Sequence, residues 1–252
     1  MSLVLSALEF EVLWESLELP RRPAALSVPS PGRAHSERAE LVDSAWRSLA
    51  SRRLARGRRA SGELIDQLHL LARPQYAVDA WVWAEREIHG RAVSQGSQAV
   101  LAVVDADQVW LIPAREGALA EAAVPVAGEL APGVGQSISV PHDLLVAADA
   151  KAQGDPKSLV TALEDRGLAL WEAQELAGML MGQEARGQFC AERTLRDGTV
   201  RRSPEVAAFF DTDAGRYLFQ LTADADGRHW ATVAPADNAL LVARVRELQA
   251  GL

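Results

Sequence analysis

The chain has 252 residues, 48% of them apolar and 24% charged, the proportions of a globular protein rather than a disordered or fibrous one. Its net charge is −8, with 34 acidic against 26 basic residues. That balance argues against a nucleic-acid partner, whose affinity rests on neutralising phosphates with Lys and Arg. The single cysteine, Cys190, excludes an intrachain disulfide and a Cys-based zinc site. No apolar run reaches the roughly 18 residues of a membrane span, so no membrane insertion is expected. The opening residues Met1 to Glu9 lack a basic segment, and Glu9 and Glu11 interrupt their apolar character. They do not read as a signal peptide, and a cytoplasmic location follows as the expectation. The one basic run, Arg52, Arg53, Arg56, Arg58 and Arg59, has no interleaved aromatics and reads as a solvated helix end or loop.

In chain order, Ser6 and Glu9 form a capping box ahead of Phe10, Leu13, Trp14 and Leu17, which share one helical face up to Pro20. Ala24 to Val28 reads as a short strand. Helices are expected from about Ser36 to Leu54 and from about Gly62 to Leu71. The period then changes. Val78 to Ile88 alternates as one strand, Val100 to Val104 is a buried strand, and Gln108 to Ile112 returns after the turn Asp105-Ala106-Asp107, giving a three-stranded antiparallel meander. Residues 113–136 are rich in Ala, Gly and Pro, with one short helix near Leu119. Ser137 to Val140 reads as a strand followed by a helix capped by Asp143.

The second half begins with Asp155 as N-cap and Pro156 at the first helical position. Helices at about 156–166 and 169–183 precede strands at about 187–196, 204–211, 215–222 and 230–233. Asp237 caps a last helix. The two halves therefore share an order of elements, and five short matches support a duplication: Leu49/Leu54 with Leu163/Leu168, Glu63-Leu64 with Glu175-Leu176, Ala84-Glu85-Arg86 with Ala191-Glu192-Arg193, Asp105-Ala106-Asp107 with Asp211-Thr212-Asp213, and Pro141-His142-Asp143 with Pro235-Ala236-Asp237. The expected fold is α+β: two repeat units, 1–150 and 151–252, related by a pseudo-two-fold axis in one compact domain.

The chemistry-bearing residues form no recognisable constellation. His35, His69, His89, His142 and His229 show no metal-ligand spacing and read as structural or solvated. Cys190 beside Phe189 reads as a buried thiol. The Asp105/Asp107 and Asp211/Asp213 pairs fall at strand turns, where Asp bonds nearby backbone N–H groups. The alternative is a hydrolase site assembled from His89 or His229 and a repeated Asp. No cofactor is implied. Trp14, Trp46 and Trp171 read as helix core. Trp81 and Trp83 share a strand face, and either pack beneath a helix or form part of a platform for an apolar partner.

Four segments carry a resemblance: Leu8-Glu9-Phe10-Glu11-Val12-Leu13-Trp14, Leu71-Ala72-Arg73-Pro74, Arg186-Gly187-Gln188-Phe189, and Phe209-Phe210-Asp211-Thr212-Asp213-Ala214-Gly215-Arg216-Tyr217. With them the chain resembles the EspG family of actinobacterial type VII secretion proteins over about residues 5–250. The resemblance implies a central antiparallel sheet flanked by two helical bundles with quasi-two-fold symmetry. It also implies a non-enzymatic cytosolic chaperone for helical secreted substrates, PE–PPE pairs or WXG-like proteins. In that family the substrate's apolar tip docks on the sheet and the C-terminal bundle, with the loop after the second strand taking part. Here that loop is expected at Gly90, Arg91, Ala92, Val93, Ser94 and Gln95, running on to Ser97. A homodimer remains open, since no heptad seam dictates an assembly state.

Overall fold

The computed structural model describes residues 2–32 and 35–252, apart from the side chain of His35. The first unit runs β1 (Leu3–Ser6), α1 (Ala7–Ser16), α2 (His35–Ser51), a small ribbon of β2 (Ala55–Arg56) and β3 (Arg59–Ala60), and α3 (Gly62–Ala72). It continues through four meander strands, β4 (Tyr76–Trp83), β5 (Glu87–Gln95), β6 (Gln98–Asp105) and β7 (Gln108–Pro113), to the short α4 (Leu119–Ala123). The second unit repeats the plan: β8 (Ile138–Pro141), α5 (His142–Ala152), α6 (Pro156–Glu164), α7 (Leu170–Leu180), β9 (Gln183–Thr194), β10 (Val200–Arg202), β11 (Ala207–Thr212), β12 (Gly215–Ala223), β13 (His229–Pro235) and α8 (Asn238–Ala250).

One sheet joins the units, in the order β1-β7-β6-β5-β4-β9-β11-β12-β13-β8, with β10 beside the far end of β9. Its centre is the antiparallel pair β4/β9, from Tyr76 opposite Arg193 to Trp83 opposite Arg186. Outward from that seam, β5, β6, β7 and β1 on one side answer β11, β12, β13 and β8 on the other. A pseudo-two-fold axis perpendicular to the sheet relates the halves, and the expected α+β fold with two helical bundles stands.

Because side chains alternate across a strand, each half of the sheet has two faces. On the first face, Ala77, Val93, Val100, Ala102 and Leu111 pack with Phe10, Leu13, Leu49, Leu64 and Leu68 of α1–α3. On the same face of the other half, Phe210, Tyr217, Ala231 and Val233 pack with Leu159, Leu163, Leu176 and Met179 of α6 and α7. The opposite face buries Val78, Ala80, Leu101, Phe189, Phe209 and Leu218 beneath α4 and α8. At about 1.5–3 kcal/mol per fully buried large apolar side chain, these three clusters are the main stabilisation of the fold. The capping box forms as expected: Glu9 N–H donates to Ser6 Oγ (3.1 Å) and Ser6 N–H to Glu9 Oε2 (2.8 Å). Arg52, read as solvated, instead donates to Glu9 Oε2 (2.6 Å) and to the Val4 carbonyl (2.7 Å), fixing the outer edge of β1 to α2.

The structure corrects several sequence expectations. The matches between α2 and α6 and between α3 and α7 are true equivalents, but the other three are displaced. Asp105–Asp107 lies in the β6–β7 turn, whose counterpart is the β12–β13 turn rather than Asp211–Asp213. Residue identity had followed turn chemistry rather than ancestry. The division at 150 falls inside α5, and β8 and α5 belong to the second unit because β8 pairs with β13. The single strand from Val78 to Ile88 is a hairpin folded at residues 84–86, with Ala84 N–H donating to the Arg86 carbonyl (3.2 Å). No Gly, Pro or Asn marks that turn, and the alternation runs unbroken through it. Ala24–Leu26 is a 3₁₀ turn, not a strand. The N-cap of α5 is Pro141, not Asp143. Trp171, expected in the core, is 56% exposed near the start of α7.

The segment Asp211 to Tyr217 clasps the inter-unit connection. Arg216 is 1% exposed and donates to both Asp211 oxygens (2.7 and 2.9 Å), to the carbonyls of Ala127 (2.7 Å) and Gly128 (3.1 Å), and to Asn238 Oδ1. Its guanidinium also lies 4.7 Å from the centre of the Phe209 ring. The backbone of Arg216 bonds Ala131 and Gly133, and Tyr217 Oη donates to the Val134 carbonyl (2.9 Å). A Cβ at Gly133 would run into the Tyr217 ring, so only glycine fits there. Arg216→Met would strand a carboxylate and two carbonyls, and is expected to lower unfolding free energy by about 3 kcal/mol in urea titration. A loss within measurement error would show that the clasp is dispensable.

Candidate partner-docking surface

Both bundles sit on the same face of the sheet, one over each half, and a strip of β4, β9 and their neighbours lies between them. Its floor is set by strand alternation. On β4, Asp79, Trp81 and Trp83 point into the strip, opposite Cys190, Gln188 and Arg186 of β9. On β5, Arg91, His89 and Glu87 lie beside them.

One end of the strip is aromatic. Trp81 and Trp83 are half-buried, stacked with ring centres 6.4 Å apart, and belong to none of the three core clusters. His89 lies 4.4 Å from the Trp81 ring, and the Arg186 guanidinium lies 5.8 Å from that of Trp83. Beside them a hollow of about 440 Å³ is lined by Trp83, Leu180, Gln188, Ala208 and Phe219, reaching the C-terminal end of α7. Neither ring packs into a core cluster beneath a helix, which is the geometry that the platform reading requires.

The other end is ionic. Arg91 NH1 donates to both oxygens of Asp79 (2.6 and 2.8 Å), Arg91 NH2 to Glu192 Oε2 (2.9 Å), and Arg202 Nε to Glu192 Oε1 (2.6 Å). Burial, opposed by the charge of Arg91, holds the Asp79 carboxyl above its ordinary value. Burial, reinforced by Asp79 and Glu192, pushes the Cys190 thiol up to about 12, which leaves it unreactive at neutral pH.

The six expected loop residues need correction. Gly90, Arg91, Ala92, Val93 and Ser94 are buried within β5, and only Gln95 is exposed, next to the tight turn at Gly96-Ser97. Gly90 reads as a loop signal in sequence, yet a Cβ there would meet Val126 Cγ2 at 3.0 Å and Ala80 Cβ at 3.4 Å. It is a packing glycine beneath the second 3₁₀ turn, Val124–Ala127. Of the six, Arg91 lies in the ionic end of the strip; its aromatic end is lined by Trp81 and Trp83, which the sequence singles out, and by Leu180, Ala208 and Phe219, which it does not. Phe219 lies in a strand with alternating character, but no local signal tells which face is left uncovered.

The alternative hydrolase grouping built on His89 is not assembled. Asp105 forms a two-pronged pair with Arg86 (2.6 and 2.9 Å) and Asp211 one with Arg216. Both aspartates lie on the face opposite His89, whose carboxylate neighbour is Glu87 at 3.6 Å. The turn positions of the aspartates were legible, but their side chains hold arginines rather than backbone N–H groups. Among the described residues, no group of three or more His, Cys, Asp or Glu could hold a metal ion.

The class that the fold and site define is an α+β protein with two same-face helical bundles on either side of an aromatic strip. The chain belongs to the EspG family, whose model matches residues 6–247. Its fold is similar to that of the Mycobacterium tuberculosis type VII secretion system chaperone EspG5, solved in complex with a PE25-PPE41 dimer. The TM-score is 0.77 at 15% identity, covering 99% of this chain and 96% of that one. No curated protein matches the chain.

Burial lowers the His89 pKa from its ordinary 6.5, against the pull of Glu87. The folded state therefore binds the proton less readily than the unfolded chain. The contribution of a neutral His89 is present above pH 6.5 and is lost as pH falls from there toward the folded value. Urea titrations between pH 5 and 7.5 should show a decline toward acid that His89→Gln reduces, and an unchanged slope would contradict the assignment.

Proposed function

We propose that this chain is a non-enzymatic cytosolic chaperone that holds helical substrates of a type VII secretion system until export. The substrate's apolar helical tip lies on the aromatic end of the strip, against Trp81, Trp83, Ala208 and Phe219 of the sheet and Leu180 of the C-terminal bundle. The observation that carries this reading is the stacked, half-buried tryptophan pair outside the core clusters between two bundles, in a chain of the EspG family. The fold relative EspG5 is solved with a PE25-PPE41 dimer, which supports a helical PPE-type partner. A WXG-like partner is the other member of the same class.

The physical logic is simple. A helical hairpin exposes an apolar tip that would self-associate in solution. A rigid sheet offering aromatic rings covers such a tip at little conformational cost. Release at the secretion machine requires an affinity short of the extreme. No helix among the described residues is long and apolar enough to cross a membrane, which fits a role before the membrane step. The substrate complex is read as one chaperone to one substrate.

The test is affinity capture of the tagged chain from its native cytosol with mass spectrometry, followed by calorimetry on the captured partner. A PE–PPE or WXG-like protein is expected. Trp83→Ala should weaken binding at least about tenfold, the effect of losing an aromatic anchor of roughly 1.4 kcal/mol or more. Unchanged affinity in both Trp83→Ala and Phe219→Ala would remove the strip as the docking surface.

A further inference from the structure

The ionic end of the strip is chemically unlike the aromatic end, and substrate docking does not use it. A cleft of about 690 Å³ opens there between the end of α3 and the β9–β10 hairpin. Pro74 and Val200 supply apolar wall, while Arg73, Arg91, Arg202 and Glu192 supply the charge; with Asp79 beneath Arg91, three guanidiniums meet two carboxylates in a chain of net charge −8.

The donors there are incompletely used. Arg91 is 4% exposed, and its Nε is buried without a hydrogen-bond partner. Arg202 gives Nε to Glu192 while its side chain stays 74% exposed, leaving both terminal nitrogens available. Exposed Arg73 on the opposite wall makes no side-chain hydrogen bond or ion pair among the described residues. Asp79 and Glu192 orient Arg91 and Arg202 and offset their charge, which leaves the guanidinium of Arg73 and the free terminal nitrogens of Arg202 to meet an incoming anion.

We infer that this cleft docks an acidic peptide segment of a partner protein, in which a carboxylate adjoins an apolar side chain. The carboxylate bridges Arg73 and Arg202, whose planar guanidiniums suit bidentate pairing. The apolar neighbour lies against Pro74 and Val200. A nucleic acid or an anionic lipid surface is disfavoured, because the acidic balance of the chain repels an extended polyanion beyond the cleft. The site is separate from the aromatic strip and gives the chaperone a second handle, which another component could grip while substrate stays bound.

The probe is a fluorescein-labelled octapeptide of alternating Asp and Leu, titrated by anisotropy with the full chain. Saturable binding is expected, weakening with salt, lost in the analogue with Asn for Asp, and weakened at least tenfold by Arg73→Glu with Arg202→Glu. Arg202 pairs with buried Glu192, so the double variant should melt lower; Arg73→Glu alone, at an exposed side chain, should leave melting unchanged and still weaken binding, which keeps the readout independent of folding. Trp83→Ala should leave peptide binding intact, which separates this site from the substrate strip. Equal binding of the Asn analogue, indifference to the arginine variants, or no saturation by about 1 mM would overturn the inference. Displacement by inorganic phosphate as effectively as by unlabelled peptide would overturn the peptide assignment in favour of a simple anion site.

Discussion

Eight residues of β4 lie opposite β9, from Tyr76 against Arg193 to Trp83 against Arg186, and this antiparallel seam turns two small units into one protein. Without it each half-sheet would present a long free edge of unpaired N–H and C=O groups, a template for aggregation. With it, a two-fold relation follows from the pairing itself: an antiparallel pair of equivalent strands carries an axis perpendicular to the sheet. That axis keeps both helical bundles on the same face. The open strip between them is therefore a consequence of how the units join and not of any single residue.

The seam also explains why the two ends of the strip differ. A perfect duplication would make them identical, and divergence has made one ionic and the other aromatic. At one end the Arg91 side chain is buried between Asp79 and Glu192, a costly arrangement that survives because every carboxylate oxygen has a guanidinium partner. At the other, the half-buried Trp81 and Trp83 stack on each other outside the three core clusters, with His89 and Arg186 beside them. The connection between the units is fixed separately, by Arg216 and Tyr217 against residues 127–134. This gives the Asp211 to Tyr217 segment a physical role: it fixes the connection between the units against β12.

The elements were largely legible in the chain. Ser6 and Glu9, Asp155 with Pro156, and Asp237 announced three helix starts through local hydrogen bonding, and alternation marked the strands. Failures came where a signal had two meanings. Gly90 looked like a loop and is a packing glycine. The β4–β5 turn carries no turn residue, so the alternation reads as one strand where there are two, and the expected loop falls in the body of β5. The aspartate pairs were correctly placed at turns, yet their partners, Arg86 and Arg216, are set by strand register.

What the sequence by itself determined is the local order: which segments are helix or strand, that the order repeats, and that the chain resembles the EspG family. These depend on periodicity, capping and short motifs, which act over a few residues. Only the tertiary structure decided which sheet face stays bare, because burial depends on where a distant bundle comes to rest. It likewise decided that Leu180 and Phe219 join Trp83 at one surface, and that Arg73 and Arg202 face one cleft. Those juxtapositions arise from pairing across the seam and from the packing of each bundle, interactions between residues far apart in the chain that no local pattern encodes.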